Sequence, residues 1–232
     1  PEDAGLAAWR RIALESPRVF GVASVSGTIR AESADFVVEE RLGFEPDGGG
    51  AHFLVWVEKQ DANTLHVARE LAASVGRPPK EVGFAGMKDR RAIARQWFSV
   101  PAVKGREPAA GAAGSGYRVL AAHPHSRKLR RGALAGNRFR LRVRDIAGDT
   151  SALAARLGQV GSRGFPNYFG SQRFGVDGAN LGRVQQWLER GRLPRGREAR
   201  AFILSSARAL AFNAVLGKRV ADGSWNRLLP GE

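Results

Sequence analysis

From Asn137 to Arg144 the chain reads Asn-Arg-Phe-Arg-Leu-Arg-Val-Arg, so Phe139, Leu141 and Val143 alternate strictly with Arg138, Arg140, Arg142 and Arg144. A period of two specifies a β-strand with two chemically different faces. The apolar face is expected to enter a core. The other presents arginines about 7 Å apart, two strand rises of roughly 3.3 Å each. The planar guanidinium fork matches phosphate oxygens, so such a row points to a phosphate-bearing partner.

The run lies in residues 117–144, which hold nine bases and no acid. Just upstream, Arg127, Lys128, Arg130 and Arg131 form an expected basic loop, with His123 and His125 beside it. The whole chain of 232 residues has 37 bases against 22 acids, a net charge of +15. Residues 1–60 run the other way, with ten acids and six bases. The surplus is therefore placed, and it predicts a polyanion as partner: nucleic acid first, a membrane surface second. There is no cysteine, which excludes disulfides, thiolate metal sites and cysteine nucleophiles. The four histidines are scattered, and no pair of them has helical i, i+4 spacing near an acid, so there is no reason to expect a metal. No apolar run approaches the roughly 18 residues of a membrane span, and no signal-peptide pattern is read.

Along the chain, residues 1–17 read as a short lead without a clear face. Strands are expected at 27–30, 36–40, 52–58, 82–84 and 93–100. The 52–58 strand is apolar on both faces and should be central. A helix capped by Asn63 or Thr64 carries the stripe Leu65, Ala68, Leu71, Ala72 and Val75, and stops at Gly76. Residues 101–116 read as a loop. Helices follow from Thr150 or Ser151 to about Gly161, around Leu181–Leu188, and over about 201–221, the last with Phe202, Leu210, Phe212, Val215 and Leu216. Strands dominate the first 145 residues and helices the rest, which predicts an α+β fold.

Two constellations could carry chemistry. Gly86-Met87-Lys88-Asp89-Arg90-Arg91 places one aspartate among bases in a glycine-led turn after an apolar strand. Neighbouring cations favour its ionised form, and an ionised carboxylate in a basic cleft can attack, or take a proton from, an anionic substrate. It could equally cap a turn and pair with arginine. The segment from Phe165 through Asn167, Tyr168, Phe169, Gln172 and Arg173 to Gly175 mixes aromatics, amides, arginine and glycine. Aromatics stack on unpaired bases and amides read base edges, though some of these rings should simply pack in a core.

At these residues the chain resembles the TruD family of tRNA pseudouridine synthases. The 86–92 stretch is similar to the family's catalytic motif, and 166–175 to its Pro-Asn-Tyr-Phe-Gly-x-Gln-Arg-Phe-Gly signature. Asp35–Glu40, Leu42–Pro46, Arg127–Phe139 and the stretch from Phe212-Asn213 to Pro230-Gly231 match in the same order. The resemblance implies a mixed, mainly antiparallel pseudouridine-synthase-like sheet flanked by helices, plus the helical start of an inserted domain. It implies isomerisation of uridine to pseudouridine in tRNA, at position 13, without a cofactor. Carried over by motif, Asp89 is the catalytic aspartate. Phe169 stacks on the flipped uracil, Asn167 bonds near Asp89, Phe36 lines the pocket, and Arg30 lies near the substrate phosphate. Lys88 and Arg90 hold phosphates or orient Asp89. Arg127, Lys128, Arg130, Arg131, Arg138, Arg140 and Arg142 are the expected RNA contacts.

The expected division is a lead over 1–20, a catalytic domain over 21–192, and the start of the inserted domain over 193–232. Family members continue past the position of Glu232, so the expectation is a piece of a longer reading frame that binds tRNA weakly and is inactive by itself. A monomer in the cytoplasm, with tRNA as partner and neither metal nor membrane, completes the reading. The alternative is a non-catalytic RNA-binding protein on the same scaffold.

Overall fold

The computed structural model describes residues 4–231; Pro1 to Asp3 of the lead, and Glu232, lie outside the described residues. Two compact units result, one from residues 26–147 and one from residues 4–25 and 148–231.

The 26–147 unit is built on strands β1 (Val25–Ile29), β2 (Phe36–Leu42), β3 (His52–Gln60), β4 (Gly83–Phe84), β5 (Ile93–Pro101), β6 (Ala113–Gly114), β7 (Tyr117–His125), β8 (Leu134–Leu141) and β9 (Val143–Gly148). Seven of them form one sheet in the order β6-β7-β3-β5-β2-β8, with β4 added on β5; β1 and β9 pair separately. Within the seven-stranded sheet only the β2–β5 pair is parallel. The 52–58 segment is indeed interior, paired with β5 on one side and β7 on the other.

One face of this sheet carries Val55, Val57, Phe98, Val100 and Val119. Helix α1 (Ala4–Leu14) lies in the other unit; the helix packed here is α2 (Thr64–Ser74), through Val67, Ala68, Leu71 and Ala72. Leu65, an expected member of the stripe, is exposed; Val67, four positions before Leu71, takes the buried place. The opposite face pairs an apolar patch at Leu54, Trp56 and Trp97 with a charged ladder. Arg138, Glu39, Arg95, Glu58 and Arg118 stand in register across β8, β2, β5, β3 and β7. Arg95 bridges Glu39 at 2.5 Å and Glu58 at 2.8 Å, and Arg118 reaches Glu58 at 2.8 Å.

Three expectations are corrected here. The arginine run does form a strand, but its apolar side is not in a core: Phe139 is 57% exposed and Leu141 53%. β8 is an edge strand paired only with β2, and α2 packs over β3 and β5 rather than over β8. The run also breaks at Arg142, and Arg144 belongs to β9. β7, which carries His123 and His125 beside that loop, is absent from the expected strands, because its Tyr117, Val119 and Ala121 alternate with less apolar residues too weakly to announce one.

The second unit packs α1 (Ala4–Leu14), α3 (Leu153–Arg163), α4 (Ala179–Arg190) and α5 (Arg197–Ala221). The lead does have a face: Leu6, Trp9, Ile12 and Ala13 pack with Phe174, Leu181, Ala209 and Leu210. α5 starts four residues earlier than expected and buries Ile203, Ser206, Ala209, Leu210, Asn213 and Gly217. Phe202, Phe212 and Val215 from the expected stripe are exposed, because the buried stripe is centred on small and polar residues. Among the described residues α5 is the one helix long and apolar enough to cross a membrane. It packs against α1 and α4 within this unit, with Ala209 and Leu210 in the buried cluster, and 28% of its most apolar stretch is buried.

Candidate active site

Asp89 lies in the turn between β4 and β5. The residues before it are held from beneath. Lys88 donates its backbone N–H to Thr64 Oγ1 at 3.1 Å, and Thr64 bonds Gln96 Oε1 at 2.9 Å. The Lys88 ammonium points inward to Glu40 on β2, at 2.5 Å, and both side chains are buried. Glu40 uses its other oxygen to accept the Trp97 N–H at 3.2 Å. An ion pair removed from water must satisfy its remaining hydrogen-bonding capacity to be tolerated, and this one draws on two neighbouring strands to do so.

The Asp89 side chain is 44% exposed, and Arg30 Nη2 donates to its Oδ2 at 3.0 Å. Arg30 ends β1 with a φ of +57°, a conformation few non-glycine residues adopt. Its guanidinium sits 4.0 Å over the Phe36 ring, and Phe36 meets Phe139 of β8 at 5.9 Å between centroids. Phe36 and Phe139 share the face that bears Glu40, since Val38 pairs with Phe139 on one side and Ala94 on the other. Carboxylate, guanidinium and two rings thus converge at the uncovered end of that face. The alternation predicts a core position for Phe139, whereas the structure leaves it 57% exposed beside Phe36.

The other cations fall into two groups. Arg90 and Arg91 spend their guanidinium contacts on main-chain oxygens, Arg90 on Asp61 at 3.1 Å and Arg91 on Ala31 at 2.7 Å. Arg144 is bound by Asp35, at 2.8 and 2.9 Å, and by Glu32. Arg127, Lys128, Arg130, Arg131, Arg138, Arg140 and Arg142 are all exposed. The loop bearing the first four is pinned at Leu129, whose N–H bonds Ser99 Oγ at 2.8 Å, and at Gly132, whose N–H bonds the Ala85 carbonyl at 2.8 Å. Gly83 is required there, because a Cβ would come within 2.3 Å of the Leu129 carbonyl. Among the described residues no group of three His, Cys, Asp or Glu could hold a metal.

Asn167 and Phe169 belong to the other unit. Asn167 is exposed. Phe169 is fixed through its main chain: its N–H donates to Asn213 Oδ1 at 2.9 Å, and its carbonyl accepts from Asn213 Nδ2 at 3.0 Å. Its ring meets Phe212 edge-on at 5.4 Å, with the Arg173 guanidinium 5.4 Å above it. A cavity of about 440 Å³ opens beside it, lined by Gln172, Arg173, Asn180, Phe202 and Ser205.

The mixed sheet thus carries one half-exposed carboxylate, Asp89, paired with Arg30, in a unit whose 127–131 loop and β8 bear exposed bases. The family model of tRNA pseudouridine synthase D (TruD) matches residues 17–195, and the chain belongs to that family. It is 46% identical over 220 residues to tRNA pseudouridine synthase D of Azotobacter vinelandii, and 44% to that of Pseudomonas putida. These alignments cover 94% of this chain and 62% of each relative, so the chain spans about 62% of the length of the curated relatives it matches. The fold is similar to the crystal structure of a putative tRNA pseudouridine synthase D from Methanosarcina mazei. The TM-score is 0.59 at 22% identity, over 100% of this chain and 60% of that one.

Proposed function

We propose that this protein converts uridine to pseudouridine in tRNA, with Asp89 as the catalytic carboxylate. The observation that carries the reading is the half-exposed Asp89 carboxylate, ion-paired with Arg30 beside the Phe36 ring, on a turn whose base is anchored by buried polar groups. The reaction breaks the C1′–N1 glycosidic bond, turns the uracil, joins C1′ to C5, and releases the C5 proton. Asp89 attacks C1′ or C6, or takes a proton, while Arg30 holds its carboxylate aimed. The uridine must leave its stack to reach the pocket. Phe36 and Phe139 offer rings at its edge, and Phe169 and Asn167 are read as further uridine contacts on the family motif. Lys88, buried against Glu40, orients the turn rather than touching phosphate, and Arg90 braces the turn through Asp61. The exposed bases at 127–131 and 138–142 bind the tRNA backbone at position-13 geometry. The division into a catalytic part over 21–192 and the start of an inserted domain over 193–232 belongs to this reading, as do a monomeric state, a cytoplasmic location and a reaction without metal or membrane.

The test is tritium release from tRNA labelled at uridine C5, using the full-length gene product. Release should be complete with the unaltered protein and should fall at least 10³-fold in Asp89→Asn, with RNA affinity kept within about threefold. Binding without release by either protein would favour a non-catalytic RNA-binding role.

A further inference from the structure

Lys59 is fully buried on β3, on the face covered by α2. A buried ammonium is costly unless its protons are taken up. Here Nζ donates to two main-chain oxygens, Ala62 at 2.8 Å and Asp89 at 2.7 Å. The first fixes the loop that leads into α2. The second holds the backbone carbonyl of the very residue whose side chain faces the pocket. No carboxylate is bonded to this ammonium; its charge is left to act on the turn.

We propose that Lys59 is a positioning residue for Asp89, clamping the main chain of the turn from behind and placing a fixed positive charge under its carboxylate. This rests on the reading of Asp89 as the catalytic group. The geometry separates Lys59 from Arg30, which touches the carboxylate from the solvent side and is free to exchange it for a substrate group. A hydrocarbon of equal length at 59 would fill the same space and drop both the clamp and the charge.

The groups facing the ammonium are Asp89 and Lys88 on the turn, Asp61 on the β3–α2 loop, and Tyr117, its cross-strand neighbour on β7. Burial lowers the ammonium to about 8, Lys88 adding to the effect and Asp89 and Asp61 opposing it. Burial raises Tyr117, which stays neutral over the same range. A charge that matters to the reaction should therefore be lost as pH rises through about 8.

The experiment compares the unaltered full-length protein with Lys59→Met and Lys59→Gln. Gln keeps a neutral donor should Met fail to fold. Two readouts are taken: the single-turnover rate of tritium release with its pH profile, and amide hydrogen exchange across residues 86–92. Loss of a group that orients a reacting one costs on the order of 10–100-fold, and the variants should lose rate by that factor with RNA affinity unchanged. The fall in rate above about pH 8 should be present in the unaltered protein and absent from the variants. Exchange at Asp89 and Arg90 should rise about tenfold while β3 amides stay protected. A rate and profile like those of the unaltered protein would overturn the proposal, even if the turn loosened, since Lys59 would then be structural only. If the unaltered protein released no tritium, the proposed reaction would fall, and unchanged exchange in the variants would still remove the clamp.

Discussion

At the scale of single residues, what a base does depends on what it can reach. Arg138 and Arg144 come from one alternating run, yet Arg138 projects into solvent and Arg144 is held by a two-point bond to Asp35. That bond, with the Glu32 N–H, keeps the Asp35 carboxyl below the usual carboxylate range. A depressed carboxyl contributes stability that is present above its unfolded value of roughly 3.9 and is lost as pH falls through its folded value. Asp35→Asn should therefore lower the urea midpoint at pH 7 and weaken the acid limb of a stability–pH curve below about pH 4. An unaltered acid limb in urea titrations of the variant would contradict this assignment. The sequence shows the arginine alternation but not Asp35, which is 109 positions away.

At the scale of elements, the clearest device is the α5 helix holding the loop that carries Phe169. Asn213 sits one position from Phe212, and its amide satisfies both main-chain groups of Phe169. Removing it leaves an N–H and a carbonyl without partners, at a cost of about 1–3 kcal/mol. Asn213→Ala should lose about that much in equilibrium denaturation and should reduce tritium release in proportion to the disorder of Phe169. Asn213→Asp, which can accept but not donate, should fall between. Periodicity alone misplaces the buried stripe of α5. It favours Phe202, Phe212 and Val215, whereas the stripe that packs contains Ser206, Asn213 and Gly217. Small and polar residues are buried there because hydrogen bonds and close approach, not bulk, make the contact.

At the scale of the whole molecule, charge is sorted by face. The ladder Glu39–Arg95–Glu58–Arg118 consumes acids and bases together across four strands, so that face is less basic than its arginine content suggests. The exposed bases of the 127–131 loop have no such acids opposite them. Binding through phosphates releases counterions, so affinity falls with salt in proportion to the contacts made. Arg127→Ala and Arg130→Ala should each reduce the slope of log affinity against log salt by roughly 0.7–0.9. Lys88→Met, whose base is buried against Glu40, should leave the slope unchanged. Filter-binding or fluorescence titrations across a salt series decide between these outcomes.

The sequence by itself determined the fold class, the basic character and its location, the strands β2, β3 and β5, the helix α2, and the turn carrying Asp89. Each follows from periodicity, capping or local composition, which are properties of neighbours in the chain. The resemblance of ordered motifs extended this to the family. The tertiary structure decided which bases are exposed and which are ion-paired, that Phe139 lies exposed beside Phe36 instead of filling a core, that Lys88 faces Glu40, and that Lys59 lies behind Asp89. These depend on pairing between strands and on which part of the sheet a single helix covers, and no local pattern encodes either.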